Sequence, residues 1–350
     1  MSKLLVQLLP KSATKYLRIV KVFVDYTKAN LYRLGLKKKA YRPYFYRFFP
    51  YMSHRVIDED DKNIRWGLAF SEYLQGVSPP VSLVWAATPM PGNFGDWMSP
   101  YIIQKVTGRG IKFVNELYFR KAPHIVSLGS IVSCANKDSV VLGSGINSVK
   151  DCISQNANLV SVRGRYTGIA AKHCDLKYGD PGFIISDLYK PKIVDYKTPT
   201  HAVVLVRHIN HIGVNIDFSG LCDELSINAA RPVDIETFID ELNSYELVIT
   251  SAMHCFITCI SYGIDVILVN FTGKFNKIPG DGIKYLDCLS GVNLKEIKPV
   301  DISSNEDFWA ILIDREKYIY REKIKDMEKK IIRDSVFEAV SAYDALIAEL

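Results

Sequence analysis

Cysteine is sparse and unpaired in this chain. Its seven copies (134, 152, 174, 222, 255, 259 and 288) are scattered, odd in number and lack a CxxC spacing. Neither a disulfide framework nor a zinc site is indicated, and the cysteines read as small core residues. No metal and no resident cofactor is called for by any cluster of ligating residues. Also missing is an uncharged apolar run of roughly 18 residues, the length a membrane-spanning helix needs. The opening MSKLLVQLLPKSATK has too short an apolar stretch for a secretory leader and no small-residue cleavage site, so the expected location is the cytoplasm. Acid is almost absent from residues 1–50, where Asp25 stands against twelve Lys or Arg, a local charge of +11. The whole chain carries +6, so the other 300 residues sum to −5. A basic arm is therefore joined to a mildly acidic body, and such an arm seeks an anionic surface.

What is present is a globular composition: 350 residues, 48% hydrophobic and 23% charged. That excludes general disorder and suffices for two domains at about 150 residues each. In the arm, Lys11, Lys15, Arg18, Lys21 and Lys28 recur at helical spacing, with Tyr16, Ile19, Val20, Phe23 and Val24 mainly between them. Lys37, Lys38 and Lys39 follow, and YRPYFYRFFPYM (41–52) sets seven aromatics around two arginines. Rings beside cations suit a lipid headgroup layer. The expected partner of residues 1–52 is an anionic membrane surface, with the protein held peripherally at the inner face of the cytoplasmic membrane; packing of the helix on the protein's own body is the alternative. The acidic body argues against nucleic acid as a partner.

From residue 81 onward short apolar runs alternate with helical patterns. VSLVWAA (81–87), HIVSLGS (124–130), SVVLGSG (139–145) and NLVSVRG (158–164) read as buried parallel strands. After a Pro- and Lys-rich linker (189–200) come HAVVLVRH (201–208), ELVITS (246–251) and DVILVN (265–270). The rhythm predicts an α/β fold of two Rossmann-like, doubly wound domains with a cleft between them. The expected boundaries are 1–79 for the arm, 80–195 for an acceptor-side domain, 196–303 for a donor-side domain and 304–350 for a helical segment that braces them.

In such sheets ligands bind beyond the carboxyl ends of strands, where the unusual residues gather. NFGD (93–96) follows the first run: Gly95 is expected to let the chain turn, while Asn93 and Asp96 offer polar groups to the cleft or, for Asp96, cap the next helix. In TSAMH (250–254), Thr250 or Ser251 is expected to cap a helix that places His254 in its first turn, beside free backbone N–H groups that favour an anion. The positive helix end disfavours imidazolium and a bound anion favours it, so protonation there is coupled to ligand binding. Arg163, followed by Gly164, offers a planar fork of donors for phosphate or carboxylate, or a surface ion pair. Gly143, Ser144 and Gly145 read as a phosphate cradle or as a tight turn. His208 ends a strand of the second unit, and Asp180 reads as ordering a loop.

Taken in order, NFGD (93–96), VLGSG (141–145), SVRG (161–164), GDP (179–181), TSAMH (250–254) and YGI (262–264) resemble the polysaccharide pyruvyl transferase family over roughly residues 81–295. The resemblance implies a two-domain architecture like that of the GT-B glycosyltransferases. It also implies phosphoenolpyruvate as co-substrate, and a pyruvate ketal built across two hydroxyls of a sugar in a glycan or lipid-linked oligosaccharide. Catalytic roles fall on Asp96, Arg163 and His254, and substrate binding on Asn93, Gly95, Gly143, Ser144, Gly145, Arg207, His208, Ser251 and Lys284. One departure is Ala252, where many members carry arginine; Arg207, Lys274 and Lys284 are the candidates to replace that cation, Lys284 foremost. A glycosyltransferase using a nucleotide sugar, or a non-catalytic glycan-assembly protein of the same fold, remains the alternative.

Overall fold

The computed structural model describes residues 69–86, 93–114, 122–173, 175–192, 201–212, 214, 220–272, 278 and 280–349. The basic arm, 1–52, lies outside them, as does Lys274. In chain order the strands are β1 (Val77–Val84), β2 (Arg109–Val114), β3 (His124–Val126), β4 (Ser139–Ser144), β5 (Asn158–Val162), β6 (Lys177–Tyr178), β7 (Val203–Val206), β8 (Asp223–Glu224), β9 (Leu247–Thr250), β10 (Asp265–Phe271) and β11 (Val300–Ile302). The helices are α1 (Phe94–Thr107), α2 (Arg165–Ala171), α3 (Ile185–Leu188), α4 (Pro232–Leu242), α5 (Met253–Tyr262), α6 (Ile283–Gly291), α7 (Asn305–Ile313) and α8 (Asp326–Ala348).

Two wholly parallel sheets result, ordered β2-β1-β3-β4-β5-β6 and β11-β10-β9-β7-β8. Read from its first strand, the second sheet repeats the order of the first: the next strand joins one side and all later ones the other. The predicted α/β fold of two Rossmann-like units is what forms. Strand β2 and the short strands β6, β8 and β11 carried no apolar run long enough to be read from sequence. The segment after residue 304 is two helices, α7 and α8, interrupted where Tyr320 bridges antiparallel to Val266.

Side chains alternate between faces, as the two-residue strand period requires. Leu83, Val140 and Leu142 of the first sheet and Val204, Val206, Val248 and Leu268 of the second all enter one central apolar cluster. Their neighbours Val84, Val126 and Val141 pack on the outer side of the first sheet, and Leu205, Ile249 and Val269 on the outer side of the second. Both faces of each sheet are thus covered, which is why the strands read as continuous apolar runs. Helix α8 returns to the first sheet, where Ile332, Val336, Ala339 and Tyr343 join the central cluster.

Helix α1 begins with a capping box: Asn93 Oδ1 accepts from Gly95 N at 2.9 Å, and Asp96 Oδ2 accepts from Asn93 N at 2.9 Å. Two orphan N–H groups are satisfied reciprocally. Trp97 then enters the core fully buried, against Phe70 at 4.9 Å and Trp85 at 5.3 Å between ring centres.

Candidate functional site

In each sheet the strand order reverses between the first strand and its later neighbour: β1 and β3 in one, β7 and β9 in the other. Connections from adjacent strand ends diverge there and leave a crevice. The two crevices face one another across a single cavity of about 300 Å³. The first lobe supplies Ala86, Asn93 and Asp96 after β1 and Leu128 to Ile131 after β3; the second supplies His208 to Asn210 after β7 and Ala252 to His254 after β9. Asn147 and Lys284 complete the polar lining.

His254 is the second residue of α5, whose N-cap, Ala252, gives no side-chain hydrogen bond. The expected caps are used elsewhere. Thr250 Oγ1 donates to Val206 O at 2.8 Å and accepts from Ala252 N at 3.0 Å. Ser251 Oγ accepts from His208 N at 2.9 Å and shares a hydrogen bond with His211 Nδ1 at 2.9 Å, tying β9 to β7. Among the described residues no side chain caps the α5 N-terminus at the cavity wall. Nor does Gly95 serve a turn: it is the second residue of α1, and a Cβ there would fall 2.3 Å from His254 Nδ1. Its role is to let the imidazole of one lobe lie against the helix of the other. On the ring's far side, Nε2 is 3.7 Å from Asp180 Oδ2.

Asp96 lines the cavity while its Oδ2 accepts from both the backbone N and the Nδ2 of Asn93, at 2.9 and 2.8 Å. It caps and faces the cleft at once. His208 Nδ1 accepts from Asn210 N at 3.1 Å, which leaves the ring's proton on Nε2 when neutral. Burial first, then Lys284, His211 and His254, push His208 down to about 3; burial first, then Lys284 and Arg207, push His211 down to about 4. Lys284 is pushed down to about 8 by burial and then by Arg163, and no ion pair involving it forms among the described residues. Burial and neighbouring cations thus disfavour added positive charge in the cavity, and a bound anion would favour it.

Arg163 does not reach this cavity. It is fully buried, its Nε donates to Asp287 Oδ2 at 2.8 Å, Nη1 to Ser130 Oγ at 2.7 Å and Nη2 to Ile146 O at 2.5 Å. The guanidinium is consumed by an ion pair between the end of β5 and helix α6, and bears on the cavity from behind its wall, through Ser130 and through its charge on Lys284. Gly164 allows α6 to come so close that a Cβ would lie 1.7 Å from Asp287 O. Gly143 and Ser144 are part of β4, with Gly143 at φ +67° beneath Pro181, and Gly145 lies under the Arg163 guanidinium. The GSG stretch is neither a phosphate cradle nor a strand-to-helix turn, because Pro181 and Arg163 occupy the space over it. Arg207 is likewise spent, with Nε donating to Glu224 Oε1 at 2.6 Å and Nη1 to His211 O and Val214 O. Of the two described replacements for the cation absent at Ala252, Lys284 alone lines the cavity.

Residues that sequence reasoning passed over are Asp287, Ser130, Asn147 and Asn210. Asp180, read there as ordering a loop, does so through Oδ1, which accepts from Gly182 N at 2.8 Å, and it also faces His254. Beyond Lys284 and Ile278 a second cavity of about 630 Å³ opens over the ends of β10 and β11. Among the described residues no helix is long and apolar enough to cross a membrane.

Comparison with known proteins bears on this site. The family described as polysaccharide pyruvyl transferase matches residues 11–271. The match therefore begins within the basic arm, not near residue 81, and ends before Lys284. A protein of Acanthamoeba polyphaga mimivirus, described as uncharacterized, is 27% identical over 208 residues, covering 57% of this chain and 70% of its own.

Proposed function

Because the chain belongs to the polysaccharide pyruvyl transferase family, we propose that it transfers pyruvate from phosphoenolpyruvate to two hydroxyls of a glycan sugar, forming a ketal, in the cavity between its two switch points. The observation that carries this reading is the convergence there of His208, His254 and Lys284 opposite the Asp96 carboxylate. A multiply charged phosphate ester needs donors and cations of this kind. Lys284, the Nε2–H of His208 and the uncapped start of α5 supply them.

The reaction protonates the donor's methylene carbon, adds one sugar hydroxyl to the resulting cation-like carbon, expels phosphate and closes the ring with the second hydroxyl. Of the two hydroxyl protons, one ends on the new methyl carbon and the other on the released phosphate. His254, beside the helix start, is the acid. Asp96, in the cavity wall, orients or deprotonates the hydroxyl. Arg163 acts behind the wall by fixing Ser130 and α6. The acceptor, on this reading, is a sugar of an exopolysaccharide precursor carried on lipid at the cytoplasmic leaflet, with residues 1–52 as the attachment.

Incubation with phosphoenolpyruvate and a panel of model galactosides, mannosides and lipid-linked glycans tests the reading. Phosphate release matched by a ketal mass gain on one acceptor is the expected result. Thermal stabilisation by nucleotide sugars but not by phosphoenolpyruvate would replace it with glycosyl transfer.

A further inference from the structure

We propose that Asp180 is the positioning residue of His254: its carboxylate turns the imidazole so that Nε2–H faces the protein and Nδ1 is the atom offered to the cavity. Asp180 is fully buried, and its two oxygens are treated differently. Oδ1 accepts from Gly182 N at 2.8 Å, opening the 3-10 turn at Pro181–Ile184. Oδ2 has no hydrogen-bond partner among the described residues, and neither has the buried Nε2 of His254. Stranding two polar atoms is costly, yet these two face one another at 3.7 Å. That separation is just beyond a hydrogen bond, and catalytic hydrogen bonds commonly tighten when substrate binds.

The ring has little freedom to choose otherwise. Gly95 holds it from the opposite side, its absent Cβ leaving the space that Nδ1 occupies. Asp180 and Gly95 both belong to the first lobe, and His254 to the second, so the pair forms only when the lobes are docked. Among the described residues, the other charged or titratable groups around the ring are His208, Asp96 and Lys284, all lining the same cavity, and only Asp180 meets Nε2 within ion-pair distance. A hydrogen bond from one ring nitrogen fixes which nitrogen is left for chemistry, as carboxylates behind histidines do elsewhere.

This assignment rests on the cavity being the reaction site: His254 then gives the donor's methylene carbon a proton from Nδ1, is left neutral with Nε2–H on Asp180, and is recharged by the proton that the attacking sugar hydroxyl releases. Asp180→Asn is the informative variant, because its amide oxygen still accepts from Gly182 N, so the unfolding midpoint stays close to that of the wild type. Nitrogen-15 spectra of the histidine rings, with His254 identified by its loss in His254→Gln, need no substrate. The expected result is the Nε2–H form in the wild type at neutral pH, and a titration midpoint moved to lower pH in Asp180→Asn by about one unit or more. In turnover, kcat falls about 10- to 100-fold with KM little changed and the alkaline limb of the pH profile moves to lower pH. An Nδ1–H ring in the wild type, or coincident midpoints in the two proteins, would overturn the assignment. A shifted midpoint in a protein that never consumes phosphoenolpyruvate would uphold the positioning and reject the donor.

Discussion

Two histidines of one cavity are held in opposite ways, and the difference lies in what each ring's nitrogens touch. His208 accepts a backbone N–H at Nδ1 and stays neutral down to about 3, a fixed donor. His254 instead has its Nε2 3.7 Å from the Asp180 carboxylate. His254→Ala and Asp96→Asn are each expected to lower ketal formation by about 10²- to 10⁴-fold while urea unfolding stays cooperative, provided that for Asp96 the amide still caps α1. Lys284 gives a pH signature: it is charged below about 8 and neutral above. Affinity for phosphoenolpyruvate, followed by calorimetry, should fall as pH rises through that value, and Lys284→Met should bind weakly with no such dependence.

Elements explain why one prominent sequence signal pointed elsewhere. Arg163 ends a strand and precedes a glycine, the pattern of a ligand-binding arginine, but its side chain is matched by Asp287, 124 positions away. Nothing in the DCLS stretch of α6 announces that partner, since a helical Asp is ordinarily a solvated one. The pair is a clamp: Asp287 also accepts from Thr167 N at 2.8 Å and Thr167 Oγ1 at 2.7 Å, joining α2 to α6. Removing one member of a buried pair strands the other, so Arg163→Ala should lower stability by about 3–5 kcal/mol, read from urea unfolding. Helix α1 was more legible. Its Asn93/Asp96 box is a local pattern, and Trp97 beside it is a large apolar residue that had to be buried. Trp97→Ala should cost about 3–5 kcal/mol by the same measurement.

At the scale of the molecule, two sheets of like order set their switch points face to face, and the half-buried His208 and buried His211 at that junction couple folding to acidity. Unfolded, His208 and His211 take up protons near 6.5; folded, they stay neutral to about 3 and about 4. The unfolded state therefore binds more protons below neutrality, and stability should fall as pH drops from about 6.5 toward 4. His211→Asn should lessen that slope in urea titrations at stepped pH. For the arm, replacing Lys37, Lys38 and Lys39 with glutamate should release the protein from anionic liposomes while sparing activity on a soluble glycan. Unchanged sedimentation with the liposomes would remove the membrane proposal.

The sequence by itself determined the α/β class, the long central strands, the polar residues at their carboxyl ends and the family, because each depends on residues near one another in the chain. Only the tertiary structure decided which of those residues share a cavity. Asp96, His208, His254 and Lys284 meet there, whereas Arg163 and Arg207 end at Asp287 and Glu224. The same folding gave Asp180 to His254 and made Gly95 a seat for its ring. Pairings of this kind depend on how two lobes dock, and a spacing along one chain carries no record of the distance across a cleft.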